Sequence, residues 1–296
     1  MTNVTVIGLG PMGHALADLL LKAGQTVTVW NRSADKASAL VERGATMASS
    51  PAAAIAASPI TIVCVLDYAG AEAILASEGA SSAMKDRLIV NLGTGSPSDA
   101  RHLESLVHQH GGRYLDGAIQ AAPSQMGQDD TPLFVSGRRP HFDEAQSVLR
   151  VFAGNVEFLG EEIDAAAYMD LATLSYVYGA YAGFIHGANI AGATGIDVAT
   201  YGRLVNSISP SFGAFFQHEG NVIASGDFRV TESPLRISIP AVRRILQASQ
   251  QLGIDTQVPA LVDGWLQRAD DAGLANEELA ALIKVVRQRQ SISAAA

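Results

Sequence analysis

Apolar residues alternate with polar ones, or run unbroken, over residues 3–8, 26–30, 60–66, 87–92, 113–119, 132–136 and 155–159. Each stretch has the period or the length of a β-strand. Between them lie segments with apolar residues at helical spacing, for example 34–43, 97–110 and 140–152. Strands alternating with helices predict a parallel, doubly wound sheet covered on both faces, with a ligand outside the C-terminal strand ends. Those ends carry Leu66-Asp67 and Asn91-Leu92-Gly93-Thr94-Gly95. After about residue 161 the strand pattern stops. The remainder reads as helices over 163–194, 197–208, 211–225, 232–252, 257–272 and 276–289, punctuated by Pro210, Gly226, Gly253 and Gly273. The tail from Ser291 to Ala296 reads as frayed. The expected organisation is an α/β doubly wound domain over 1–161, a long connecting helix over 162–194 and an all-α domain over 195–296.

The first strand runs into Gly8-Leu9-Gly10-Pro11-Met12-Gly13. In a strand–turn–helix setting this spacing serves a dinucleotide pyrophosphate. The first glycine makes the tight turn, the second admits the phosphates, and the third lets helix and strand pack closely. Pro11 suits a first helical turn, where its missing N–H has no helical partner. The helix beginning there aims unpaired N–H groups at the anion. An apolar stripe of Ala15, Leu16, Leu19, Leu20 and Ala23 completes the pattern. An NAD site would place an acid at the end of the second strand, on the ribose hydroxyl. This chain has Asn31, Arg32 and Ser33 there, with Lys36 one turn later. Two cations and two small polar groups suit the 2′-phosphate of NADPH.

Composition narrows the classes. The chain has 296 residues, 48% of them hydrophobic, enough for two domains. A net charge of −9 without a basic stripe speaks against nucleic-acid binding. Cys64 is the single cysteine and sits in the apolar run 60–66, which predicts a buried free thiol in a reducing compartment. The first residues enter a strand directly, so no signal peptide is expected and the predicted location is cytoplasmic. Leu171–Ile196 holds no Asp, Glu, Lys or Arg, but its polar residues and acidic upstream flank argue for a helix buried all round in protein rather than a membrane span. Gly179, Gly183 and Gly187 would give it one smooth face for close helix packing.

Asp170 is conspicuous on this helix, because Ala166, Ala167, Thr173 and Leu174 offer it no partner at helical spacing. It either faces a cleft and holds a cation, or is a solvated charge near the helix start. Tyr178 lies eight residues on, about 80° round the helix. It either shares the cleft or packs in the core. His102, His108 and His110 read as exposed helix residues. His186 and His218 could face a cleft. No metal-ligand pattern is present.

At this point the residues resemble the NADPH-dependent imine reductase branch of the β-hydroxyacid dehydrogenase superfamily. The resemblance rests on Gly8–Gly13, Trp30-Asn31-Arg32-Ser33, Lys36, Asn91–Pro97, Gly117–Pro123, Phe158-Leu159-Gly160 and Tyr168-Met169-Asp170-Leu171-Ala172. It implies a Rossmann-type N-terminal domain and a C-terminal domain like that of 6-phosphogluconate dehydrogenase. Hydroxyacid dehydrogenases carry a catalytic lysine early on the connecting helix. The four lysines here are Lys22, Lys36, Lys85 and Lys284, none of them on it, and Asp170 stands at that place. A carboxylate there would attract an iminium cation, where a lysine would protonate an alkoxide.

The resemblance implies catalytic roles for Asp170, Tyr178 and Thr94. It implies cofactor contacts from Gly8 to Gly13, including Leu9, Pro11 and Met12, and from Asn31, Arg32, Ser33, Lys36, Leu66, Asp67, Asn91 and Thr94. It implies an intertwined homodimer whose substrate pocket takes Ala122, Phe212, Phe216 and Ile237, partly from the partner. A reductive aminase subgroup has Asn at the place of Thr94 and Trp near Ser211. This departure points to a preformed, cyclic imine as substrate. The competing readings are an NADP-dependent hydroxyacid dehydrogenase and a non-catalytic NADPH sensor.

Overall fold

The computed structural model describes residues 3–287. The strands are β1 (Asn3–Ile7), β2 (Thr26–Trp30), β3 (Thr46–Met47), β4 (Ile60–Val63), β5 (Leu88–Asn91), β6 (Arg113–Ile119), β7 (Pro132–Ser136) and β8 (Asn155–Phe158). The helices are α1 (Pro11–Lys22), α2 (Ser38–Glu42), α3 (Pro51–Ala56), α4 (Tyr68–Leu75), α5 (Ala80–Ala83), α6 (Pro97–Gln109), α7 (Arg139–Phe152), α8 (Ala165–Ala193), α9 (Val198–Ser225), α10 (Leu235–Leu252), α11 (Gln257–Asp271) and α12 (Ile283–Val286). The chain divides into two compact units between Ser175 and Tyr176, inside α8.

The first unit is built on one sheet of order β3-β2-β1-β4-β5-β6-β7-β8. Its order reverses between β1 and β4, which run parallel with Ile7 beside Val63. Strand side chains alternate between two cores. Val4, Val6, Ile62 and Val90 pack with Leu16 and Leu20 of α1 and with Phe152 of α7. Ile7, Val63 and Ile89 pack with Ile55, Leu75 and Leu103 on the opposite face. This is period two turned into two helical layers. All strand pairs are parallel except β6 with β7. Their connection carries a single short 3-10 turn, Pro123–Gln125, and a chain without a crossover helix returns antiparallel. Ser136 at the end of β7 then ties down the start of α8: its hydroxyl donates to Ile163 O at 2.7 Å and accepts from Ala166 N at 3.0 Å.

The second unit is helical, with a core of Leu235, Ile239, Leu266, Ala269 and Ala281. Three expectations change here. First, α9 runs unbroken through Pro210, where two helices were expected. Proline removes one N–H from the ladder without forbidding the turn. The hydroxyls of Ser207, Ser209 and Ser211 donate to the carbonyls of Leu204, Val205 and Ile208 around it. Second, the expected helix 276–289 is replaced by a 3-10 turn, Leu279–Leu282, and the short α12. Its last residues and the tail 291–296 lie outside the described residues. Third, α8 is not buried all round within this chain: Tyr176, Val177, Tyr178 and Tyr181 are exposed. Of its three spaced glycines only Gly187 is pressed, against the Tyr201 ring of α9, while a Cβ on Gly179 or Gly183 would meet nothing. No helix among the described residues is long and apolar enough to cross a membrane.

In this unit Glu278, fully buried, anchors the turn before α10. It accepts from the backbone N–H of Thr231 (2.5 Å), Glu232 (3.0 Å) and Ser233 (2.5 Å) and from the Thr231 hydroxyl (3.2 Å). Burial pushes its carboxyl up, but these four donors together bring it down to about 2. His218 bonds the same Thr231 hydroxyl through Nε2 at 3.0 Å. His186 is buried against the Ser249 hydroxyl at 3.1 Å, so it is a core residue.

Candidate active site

The ends of β1, β2 and β4 surround a cavity of about 690 Å3 in the first unit. Gly8 takes φ +94°, and a Cβ on it would overlap the Cys64 carbonyl, so the turn requires glycine. A Cβ on Gly13 would overlap the Gly8 carbonyl, whereas one on Gly10 would meet no atom of this chain. Two glycines therefore serve close packing. The middle one leaves open space at the N-terminus of α1, where Pro11 begins the helix.

Asn31 accepts from Leu9 N at 2.9 Å and donates to Ser33 O at 3.0 Å. Its side chain thus binds the glycine turn to the end of β2. Arg32, Ser33 and Lys36 line the cavity, and neither cation has an ion-pair partner among the described residues. Open backbone at a helix N-terminus beside two unpaired cations fits a dinucleotide bearing an extra phosphate. Leu66 is 90% exposed on the same wall. Asp67 caps α4 by accepting from Gly70 N at 2.8 Å.

A smaller cavity of about 270 Å3 lies beside Val65, which lines both. Met12, Cys64, Leu92, Thr94, Ile119, Ala121 and Asp170 are among its other walls. Asp170 is 7% exposed. Its Oδ1 accepts from Gln120 Nε2 at 2.6 Å, and Gln120 Oε1 accepts from the Thr173 hydroxyl at 2.9 Å. The carboxylate without a partner on its own helix thus finds one at the end of β6. Thr94 is exposed on the cavity wall, and its backbone pairs with Asp67 in an isolated parallel bridge. Cys64 is buried, and burial pushes its thiol up to about 12, so it stands as an inert wall.

The remaining expected residues are placed otherwise. Asn91 is fully buried beneath the site, its amide 3.4 Å from Asp116. Ala122 is exposed and its N–H donates to Gln125, while its neighbour Ala121 lines the smaller cavity. Tyr178, Phe212, Phe216 and Ile237 belong to the second unit and are 68%, 45%, 47% and 58% exposed. There Phe216 packs edge-on to Tyr176 at 5.5 Å and stacks with Phe212 at 6.1 Å.

Sequence reasoning passed over Gln120 and Asp116. Gln120 could have been found from its place just past a strand end. Asp116 lies inside a strand and faces the core, where only three-dimensional packing singles it out.

Comparison with known proteins agrees with this geometry. Residues 3–160 match the family model for the NAD binding domain of 6-phosphogluconate dehydrogenase, and residues 162–288 match that for the C-terminal domain of NADPH-dependent reductive aminase-like proteins. A NADPH-dependent reductive aminase of Aspergillus oryzae is 31% identical over 98% of this chain and 99% of its own length. The structure of an imine reductase from Myxococcus stipitatus with NADP+ superposes with TM-score 0.87 at 30% identity, covering 96% of this chain and 100% of that one. A reductive aminase from Aspergillus terreus, solved with NADPH and ethyl-5-oxohexanoate, gives 0.86 at 34% identity, covering 97% and 100%.

Proposed function

This chain belongs to the family of NADPH-dependent reductive aminases and imine reductases, and from that premise we propose that it reduces a preformed, cyclic imine at the Asp170 cavity. It is an oxidoreductase acting on C=N bonds. The observation that carries the site reading is the state of Asp170. Its carboxylate is 7% exposed, lines a small cavity and has no cationic side chain paired with it among the described residues. A buried carboxylate is stabilised by a cation, and an iminium is one.

NADPH, when bound, supplies the hydride. The chain does the rest. The glycine turn and the start of α1 would hold the pyrophosphate, and Arg32, Ser33 and Lys36 would hold the 2′-phosphate. Leu66 and Asp67 would flank the cofactor. Gln120 keeps the Asp170 carboxylate aimed at the cavity, where it favours the protonated imine over the neutral one. Cys64, Val65, Leu92 and Ile119 form the apolar part of the wall, and Asp170 is itself almost wholly withdrawn from water, so the attraction is stronger than it would be at an exposed carboxylate. Thr94 offers a hydroxyl at the same wall.

A second copy of the chain would cover the bare residues of α8 and α9 and the open glycines 179 and 183. Tyr178, Phe212, Phe216 and Ile237 would then line substrate cavities of the homodimer. A reducing compartment such as the cytoplasm suits the lone buried Cys64.

The test is NADPH consumption by purified protein with small cyclic imines, run beside NADH and beside a hydroxyacid with NADP. Imine-dependent loss of NADPH, with NADH much poorer, is expected. Turnover of the hydroxyacid alone would overturn the reading, and binding of NADPH without any turnover would favour a sensor.

A further inference from the structure

Under the floor of the site lies a buried polar cluster that the reaction chemistry leaves unused. Asp116 on β6 is 1% exposed. Its Oδ1 accepts from the Tyr68 hydroxyl at 2.6 Å, the Tyr114 hydroxyl at 2.8 Å and the Asn91 amide at 3.4 Å. Two of these partners bound the loops that form the cavity walls, Tyr68 at the end of one and Asn91 at the start of the other. Tyr68 is the first residue of α4, directly after Asp67. Asn91 ends β5, directly before the loop carrying Thr94. The loops touch each other through the Asp67–Thr94 bridge, and Gly95 lies so close on the Tyr68 ring that a Cβ there would overlap it.

We propose that Asp116 is a positioning residue: by gripping Tyr68 and Asn91 it sets the two loops whose outer faces carry Asp67, Val65 and Thr94 at the cofactor and imine cavities. The proposal rests on the imine reductase reading for its catalytic readout, but not for its cofactor readout. An amide at 116 would fill the same volume and lose the charge. Three donors on one oxygen are held most firmly by a carboxylate. That carboxylate is costly to bury, since burial pushes Asp116 up to about 7 against the pull of its three donors. Asp170 raises it further, and Tyr68 and Tyr114 are themselves pushed up by burial and by Asp116. Asp99 is the remaining charge acting on Tyr68.

The experiment compares wild type, Asp116→Asn and Tyr68→Phe from pH 5.5 to 9. It reads NADPH Kd by nicotinamide fluorescence, kcat and KM for a cyclic imine, and the thermal midpoint. At pH 8.5, Asp116→Asn is expected to lower kcat about tenfold and weaken NADPH binding about threefold, with a thermal midpoint at or above wild type. The inflection near neutrality in the wild-type profiles should vanish in that variant. Tyr68→Phe should reproduce part of the kcat loss. Unchanged kcat and Kd in Asp116→Asn would overturn the proposal. So would losses that merely follow a lower thermal midpoint, because those belong to a structural role. If the wild type binds NADPH but reduces no imine, the function reading fails, and the Kd profiles still decide the role of Asp116.

Discussion

Gln120 donates to Asp170 across 2.6 Å, joining the end of β6 to the first turns of α8. Neither residue has its partner in its own element. The pair exists because Ser136 holds the start of α8 against β7, so the helix passes the neighbouring strand end at the level of Asp170.

Asp170→Ala should lower imine turnover about a hundredfold while leaving NADPH Kd within about twofold, as the proposed pairing of the carboxylate with the substrate cation requires. Gln120→Ala should lower kcat about tenfold, by freeing the Asp170 rotamer. Steady-state kinetics with fluorescence titration of NADPH separates the two effects. Retained turnover in Asp170→Ala would exclude its role.

Arg32→Ala and Lys36→Ala should each weaken NADPH binding about tenfold and leave NADH binding nearly unchanged, since only NADPH carries the 2′-phosphate. The ratio of the two Kd values reads this directly. Both losses should shrink at high salt, because these side chains are exposed.

Gly10→Ala and Gly13→Ala should part company. A methyl at 13 collides with the Gly8 carbonyl and should lower the thermal midpoint of the free protein. A methyl at 10 meets nothing and should leave that midpoint nearly unchanged. It should nonetheless abolish the rise in midpoint expected from NADPH, since a methyl there would occupy the space proposed for the phosphates. A large loss of stability in Gly10→Ala without cofactor would contradict this.

The two units should respond to pH with opposite signs at two carboxylates. Asp116 is raised from 3.8 to about 7, so the folded state holds the extra proton between those values. Its stabilisation is full below about pH 4 and is lost as pH rises through 7. Glu278 is lowered from 4.5 to about 2, so its stabilisation is present above about pH 4.5 and is lost as pH falls through 2. Denaturant unfolding followed against pH should therefore flatten between about pH 4 and 7 in Asp116→Asn. It should flatten below pH 4 in Glu278→Gln. An unchanged profile in either variant would contradict the assignment.

Local pattern by itself determined the alternating strands and helices, the glycine turn at residues 8–13, the cations at 32 and 36 and the exceptional place of Asp170 on a helix without charges. Each of these depends on neighbours within a few residues, through periodicity, φ preference or spacing on one helix face. Tertiary structure decided the rest. It paired Asp170 with Gln120 and brought Tyr68 and Asn91 onto Asp116, because these contacts join residues 25 to 50 positions apart. It also set the Asn31 side chain against the glycine turn, a contact between residues 22 positions apart, while leaving Asn31 on the cavity wall. It carried α9 through Pro210, where serine hydroxyls bond the carbonyls of the preceding turn. It also left α8 bare where the sequence suggested burial, because a hydrophobic face states only that it must be covered. Whether its own chain or another covers it is settled by packing.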